Sequence, residues 1–361
     1  MGRIELSPLN IGVHTARVPV VQGGMSVRIS GARLASAVAR EGGVGTIGGV
    51  GRGFGLEEYR HIPDFFEADR KALGDEIKRA KELEPKGIIG VNLLVAVADY
   101  DHLVRTAVES GADFIVSGAG LPMNLPALTV DHPNIALIPI VSSVKAFSLI
   151  CRKWERDYGR LPDAVVIEAP STAGGHLGVT RNQGIYDEAL KLDFVIPETK
   201  KFLEDSGYKI PIIGAGGQWD RPDIDHLLEL GADGVQMATR FVCTVECDAP
   251  DEFKQKYLDA RPEDIVEVVS PVGIPGRAIR TEFSDFVNSG AISDDVCLVS
   301  CLKVCSFRDK GEKYCIIRAL SDVSNGNVED GIVFAGSNAY RSNKQGIVTV
   351  KQIFKELTAT D

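Results

Sequence analysis

No stretch of this 361-residue chain approaches the roughly 18 to 20 consecutive apolar residues that a membrane-crossing helix requires. The spacings of common zinc sites are missing too: there is no C-x-x-C, no H-E-x-x-H and no H-x-H. No G-x-S-x-G follows a strand-like run, which leaves a serine nucleophile unsupported. Positive charge is in deficit, with 40 Lys and Arg against 50 Asp and Glu and a formal net charge of -10. That balance argues against a nucleic-acid partner and against electrostatic attachment to anionic membrane. Cysteine is sparse and odd in number, seven in all, which does not read as a disulfide framework. The opening "MGRIELSPLNIGVHTARVP" lacks the apolar core and small-residue cleavage site of a signal peptide. Leu6 stands where a myristoylation signal takes Ser or Thr. A cytoplasmic location is therefore expected. The partners expected are a small-molecule substrate and, at most, a second copy of the chain.

What the chain does have is a recurring unit. Eight short apolar runs, many of them β-branched, are each followed by glycine or small polar residues and then a helix-like stretch. They span residues 18–22, 44–47, 87–94, 113–117, 135–141, 164–168, 210–214 and 233–237. The runs are continuous rather than alternating, as for parallel strands covered on both faces. Between them, "ISGARLASAVAREGG" reads as a helix capped by Ser30 and stopped by glycine. An open doubly wound sheet also alternates β and α. Eight units within about 240 residues favour an α/β fold of the (β/α)8 TIM-barrel type. After residue 245 the pattern changes to helix, extended chain and Pro/Gly-rich loop. The expected organisation is a barrel over 1–245, an inserted, mainly helical lid over 246–330 carrying a cysteine-rich helix, and a return to the barrel over 331–361.

In such a barrel the chemistry sits at the C-terminal ends of the strands. The first run ends in Gln22, Gly23, Gly24 and Met25, and the third carries Asn92. The fifth leads to Ser142, Ser143 and Lys145, and the sixth to Gly174, Gly175 and His176. The seventh gives "GAGG" with Gly216 and Gly217. The eighth gives Gln236, Met237, Ala238 and Thr239. Glycines at several strand ends accommodate a broad, flat ligand, although turn geometry explains some of them. Backbone amides of "GG" and "MAT", near helix N-termini, suit a phosphate. A flat ring with one terminal phosphate describes FMN. NAD fits less well, because "GAGGQW" lacks the G-x-G-x-x-G spacing. Among six histidines, His176 alone stands between glycines at a strand end, where an imidazole can handle protons. His14, His61, His102, His132 and His226 have weaker contexts.

These residues are similar to the nitronate monooxygenases and the related flavin-dependent enoyl-acyl-carrier-protein reductases. The resemblance is carried by "VQGGMSVRIS", "GVNLL", "AGGHLG", "IIGAGG" and "GADGVQMATRFVCTVEC", with "GIPGRAI" and "FAGSNAYR" further on. It implies an FMN-dependent barrel with a lid and His176 as the catalytic acid/base. It also implies flavin contacts from Asn92, Gly174, Gly217 and Gln236 to Thr239, with Gly23, Gly24 and Met25 lining the ring. Glu168 stands near where relatives often carry glutamine. On this resemblance the leading expectation is oxidation of a nitronate with O₂, the charged form of His176 stabilising the anionic substrate. The alternatives are reduction of an enoyl thioester or quinone with NAD(P)H as co-substrate, and a flavin-binding redox sensor.

Four of the seven cysteines, Cys297, Cys301, Cys305 and Cys315, fall within 19 residues. On a helix the first three, spaced by four, would lie along one face. One reading is packing of the lid by small apolar residues. The other is an iron–sulfur cluster, for which three thiols spread over two helical turns are too far apart unless the helix breaks.

Overall fold

The protein was described from a computed structural model covering residues 4–54, 62–179 and 184–359. His61, noted above, lies outside these residues. The chain opens with a hairpin of β1 (Leu9–Ile11) and β2 (His14–Ala16). Then come β3 (Val20–Gln22), β4 (Val44–Gly48), β5 (Ile88–Leu94), β6 (Phe114–Gly118), β7 (Ala136–Val141) and β8 (Val165–Glu168). A two-residue strand, β9 (Gly175–His176), precedes β10 (Ile212–Ala215) and β11 (Gly234–Met237). All strands of the set β3 to β8, β10 and β11 run parallel and close into a barrel, β11 pairing back onto β3. Each of the eight apolar runs corresponds to one barrel strand, with β4, β6 and β10 ending one residue beyond their runs.

The barrel is a packed core. Val21, Val44, Phe114, Val116, Ile138, Val166 and Ile213 fill it, and Leu9 and Ile11 of the hairpin plug its N-terminal mouth. Outside, the helix Val144–Tyr158 shows how the sequence sets each layer. Ser143 caps it by accepting from the Ala146 amide at 3.3 Å, and Gly159 at φ 61° ends it. Its buried stripe, Phe147, Ile150, Cys151 and Trp154, has the spacing of three and four that one helix face requires.

The helix Ala32–Arg40 is not capped by Ser30. Its N-cap is Gly31, and its first amides are taken by distant carboxylates: Asp248 accepts from Gly31 at 2.8 Å and Glu76 from Ala32 at 2.6 Å. The Ser30 hydroxyl instead accepts from the amides of Met25 at 2.8 Å and Gly48 at 3.0 Å, tying the first two strand ends together.

After β11 the lid holds the helix Asp251–Asp259, β12 (Ile265–Val268), β13 (Gly276–Ile279) and the helices Glu282–Asn288, Ser306–Lys310 and Ile316–Ser324. Sequence patterning gave no sign of its antiparallel sheet. β13 pairs with β12, with β14 (Val333–Phe334) and with β9. β14 thus lies in the lid sheet although its sequence falls in the expected return segment. The return itself is the helix Val350–Thr358, which buries Val350, Ile353, Phe354 and Leu357 against the helices Ala32–Arg40 and Arg221–Leu230.

The expected cysteine-bearing helix is absent. Residues 291–304 form neither helix nor strand, and Cys305 is only the N-cap of Ser306–Lys310. The reason lies in where the backbone finds its partners. Cys301 accepts from the Ala98 amide at 2.9 Å and Lys303 donates to Ala96 at 2.9 Å. These bonds pin the segment to the loop after β5 rather than to itself. No helix of the described residues is long and apolar enough to cross a membrane.

Candidate active site

The C-terminal ends of the barrel strands and the lid enclose a cavity of about 690 Å³. Its lining includes every cofactor or catalytic position singled out in the sequence. Gly23, Gly24 and Met25 follow β3, Asn92 lies in β5 and Glu168 ends β8. Gly174, Gly175 and His176 come from the loop beyond, Gly216 and Gly217 follow β10, and Gln236, Met237, Ala238 and Thr239 come from the end of β11. Cys301 also reaches this wall, whereas Cys297, Cys305 and Cys315 do not.

Most of the rim glycines are required by protein rather than by a ligand. A Cβ on Gly24 would lie 2.4 Å from the Cβ of Asn92. One on Gly48 would lie 2.3 Å from the Met25 carbonyl, and one on Gly174 would lie 2.5 Å from the backbone of Ala335 and Gly336. Gly175 differs: its φ is 69° and nothing lies within 4 Å of where a side chain would start.

The features that fit a flavin lie elsewhere. Gly216 and Gly217 have φ of 101° and 91°. Among the described residues, no protein acceptor takes the backbone amides of Gly216, Gly217 or Thr239. The buried Oε1 of Gln218 likewise has no partner. Such donors and acceptor, gathered at one end of the cavity, suit a phosphate and polar ring atoms. The helix beyond "GAGG" does not contribute its dipole in the way the sequence suggested. Its N-terminus is filled by its own carboxylates, Asp223 accepting from Trp219 at 2.7 Å and from Asp220 at 3.1 Å. The C-terminal segment closes this end: the Thr239 hydroxyl accepts from Gly336 at 2.9 Å, and Asn338 donates to the Gly217 carbonyl at 2.5 Å.

His176 is placed by the lid. Within β9 it pairs with Gly276 of β13, and Gly175 pairs with Arg277. The buried Arg277 guanidinium holds the preceding loop by donating to the carbonyls of Pro170, at 3.1 Å, and Ala173. The His176 Nε2 lies 2.8 Å from the Ser270 hydroxyl, and the ring stands edge-on to Phe334 at 5.2 Å. Ser270 is itself fixed: its carbonyl accepts from Lys313 Nζ at 2.8 Å and its hydroxyl from the Val272 amide at 3.3 Å. Nδ1 makes no bond within the described residues, so it is the ring nitrogen left for a ligand. Ser270 and Phe334 escaped the sequence reading. Their only signal was position: Ser270 lies three residues before "GIPGRAI" and Phe334 opens "FAGSNAYR", segments that carried the resemblance without a residue assigned in either.

Burial lowers the His176 pKa from 6.5 to about 4, and among the described residues no carboxylate offsets this. The imidazole is therefore neutral at physiological pH, and its charged form would arise only by taking up a proton. Glu168 shows the complementary effect. Part of it is open to the cavity, but the protein around it excludes bulk water, and burial raises its pKa from 4.5 to about 7.

Glu168 therefore carries a testable linkage. Its folded pKa lies above its unfolded value, so the folded chain holds the extra proton between about pH 4.5 and 7. The stability this proton supports is complete below pH 4.5 and is lost as pH rises through 7. At pH 8 the ionised, buried carboxylate opposes folding by up to about 3 kcal/mol. Glu168→Gln in the flavin-free protein is expected to raise Tm at pH 8 and to match the wild type at pH 4.5. Equal Tm values at both pH values would place Glu168 in an ordinary solvated site.

The family model described as nitronate monooxygenase matches residues 7–360. A curated relative, (3aS,4S,5R,7aS)-5-hydroxy-7a-methyl-1-oxo-octahydro-1H-indene-4-carboxyl-CoA dehydrogenase of Mycobacterium tuberculosis, is 28% identical over 273 residues. That alignment takes in 76% of this chain and 66% of the relative. A protein of the same name from Rhodococcus jostii is covered over 64% of its length. The chain thus spans a little under two thirds of these relatives. Among solved structures, FabK from Thermotoga maritima superposes with a TM-score of 0.69 at 24% identity, over 94% of this chain and 91% of that one. Nitroalkane oxidase from Streptomyces ansochromogenes gives 0.66 at 17% identity, over 94% of both chains. These two share the fold. The family match runs from the plugging hairpin through barrel and lid to the last helix: the chain belongs to the nitronate monooxygenase family.

Proposed function

We propose that the chain binds FMN and exchanges two electrons and a proton between a nicotinamide nucleotide and an uncharged unsaturated carbonyl compound, an acyl thioester above all. The observation that carries this reading is that two titratable groups on the cavity lining, His176 and Glu168, are both pushed by burial toward their uncharged forms, so that at pH 7 the imidazole is neutral and the carboxyl about half protonated. A small anion such as a nitronate gains little from such surroundings, because burying a charge without a partner is costly. A neutral carbonyl, which must acquire a proton, is better matched.

FMN supplies the two-electron chemistry when bound. The amides of Gly216, Gly217 and Thr239 would hold its single phosphate, and the open space beside Gly175 would leave room for a ligand. Ser270 and the β9–β13 pairing orient His176 so that Nδ1 can carry or receive a proton at the substrate. Glu168, protonated up to about pH 7, holds a second proton within the cavity. Leu302, Ile316, Ile317 and Leu320 give the lid side of the cavity an apolar wall suited to an acyl chain. The carboxyl-CoA dehydrogenase name of the Mycobacterium tuberculosis relative supports a thioester as the class.

Nitronate oxidation is the second reading. It is favoured by the ammonium of Lys145, an exposed residue on the cavity lining, and by the family description. Anaerobic mixing of the FMN-loaded protein with NADH or NADPH separates the two. Rapid bleaching of the flavin, reversed by an enoyl thioester, is the expected result. Bleaching by an alkyl nitronate but by neither nucleotide would overturn the proposal in favour of the second reading.

A further inference from the structure

Ser270 is fixed by a turn of its own chain before it meets His176. Its side-chain oxygen accepts from the amide of Val272 at 3.3 Å, and its carbonyl accepts from the amide of Gly273 at 3.1 Å. Pro271 suits the second position of such a turn, because its locked φ is the one required there. The turn is also pinned from outside. Lys313 Nζ donates to the Ser270 carbonyl at 2.8 Å, and the Ser306 amide donates to the Pro271 carbonyl at 3.0 Å. Ser270 is 2% exposed. Its hydroxyl oxygen is thus held 2.8 Å from the His176 Nε2 by contacts that do not involve the ring.

Which group donates across that 2.8 Å decides what His176 offers a substrate. A neutral imidazole carries one N–H, on either Nε2 or Nδ1. If Nε2 held it, the Ser270 oxygen would accept from both Nε2 and Val272, and the hydroxyl proton would need another acceptor in a buried place, where an unpaired proton is costly. If the hydroxyl donates to Nε2 instead, its proton and a lone pair are both used. The competing acceptor is the Tyr314 hydroxyl, which lies beside Ser270 and spends its own proton on the Val269 carbonyl at 3.1 Å. An imidazole nitrogen is the more basic acceptor of the two. Nδ1 has no bond among the described residues, yet it is not one of the sealed, unpartnered atoms as Gln218 Oε1 is. It opens on the cavity that His176 lines.

We propose that Ser270 is a positioning residue: its hydroxyl donates to His176 Nε2 and holds the ring as the Nδ1–H tautomer, with its one N–H directed into the cavity. Of the two roles left open above for Nδ1, carrying a proton or receiving one, this selects the first. The ring then serves as a neutral hydrogen-bond donor to a substrate oxygen. It can do so without losing the proton, and the bond strengthens as that oxygen gains negative charge. Burial that keeps the ring neutral suits a donor of this kind. The tautomer stands apart from the substrate reading above; only its use on a carbonyl oxygen rests on that reading.

The test is nitrogen–proton correlation spectroscopy, near neutral pH, of the full flavin-loaded chain carrying isotope-labelled histidine. The His176 signals are those lost in His176→Ala. The expected result is a protonated Nδ1 and an unprotonated Nε2. In Ser270→Ala the ring proton is free to redistribute, so a share of Nε2–H should appear while flavin content holds. Turnover of an enoyl thioester should then fall about three- to tenfold, in proportion to the competent tautomer that remains. Tyr314→Phe removes the competing acceptor and should keep the wild-type pattern. A wild-type ring protonated at Nε2 overturns the proposal. So does a wild-type pattern in Ser270→Ala, or its loss in Tyr314→Phe. The spectra need no substrate. A protonated Nδ1 in a protein that leaves enoyl thioesters untouched therefore counts against the thioester reading and upholds the tautomer.

Discussion

His176→Ala is expected to retain its flavin and lose about 10²- to 10⁴-fold in turnover, the range that a positioned acid–base residue contributes. The geometry explains why the loss should fall on turnover rather than on binding. The backbone of residues 175 and 176 is fixed by pairing with β13, and Arg277 secures the preceding loop. Truncation of the imidazole therefore removes the proton handler without releasing the strand. Ser270→Ala, which frees Nε2 but leaves the ring in place, should have a smaller effect. With a histidine pKa near 4, the wild-type pH profile should show no break between pH 6 and 7 that disappears in His176→Ala. A break near 7, if abolished by Glu168→Gln, belongs to Glu168. Steady-state rates across pH, with flavin content read from absorbance, check all of this. Near-wild-type turnover in His176→Ala would make the residue structural.

Gly174→Ala should be damaging in a different way. The added Cβ would lie 2.5 Å from two backbone atoms of the segment 335–336, and backbone cannot rotate aside as a side chain can. Either the loop carrying His176 or the segment beyond β14 must move. Overpacking of this kind costs about 3 kcal/mol. The same segment places Asn338 on Gly217 and Gly336 on Thr239, so the displacement should also loosen the phosphate end. At least about a tenfold loss in FMN affinity is expected together with a lower Tm. Titration of the apoprotein with FMN and a melting curve read the two effects. A variant that binds FMN normally and melts with the wild type would show that the two segments can separate freely.

The barrel was legible because its signal is local. Each strand, from Val20–Gln22 to Gly234–Met237, is a short apolar run bounded by small residues, and burial on both faces is what such a run needs. The site positions followed from the rule that chemistry sits beyond strand ends, which is why all of them line one cavity. The lid was less legible because its sheet is built from pieces near residues 175, 266, 277 and 333. Nothing in a two-residue strand such as Gly175–His176 announces a partner a hundred residues away. The glycines were read as space for a ring, whereas Gly24 and Gly174 make space for Asn92 and for the chain at 335–336. The lowered His176 pKa was not legible either, since desolvation depends on what the fold packs around the ring. Spacing alone also suggested a helix for Cys297 to Cys305, but hydrogen bonds to residues 96 and 98 outbid that local preference.

The shared strand between barrel and lid has a bearing on how such enzymes diversify. A cover attached only by its two linkers could be exchanged between relatives to change substrate range while the reacting groups stayed put. Here β13 of the cover is the backbone partner of His176, and Arg277 reaches across to the loop before it. A chimera carrying another relative's residues 246–334 would re-lay the bench on which the imidazole rests. Recruitment of a new substrate through this region is therefore tied to matching changes at residues 170–176, and the two segments should drift as a unit rather than as interchangeable parts.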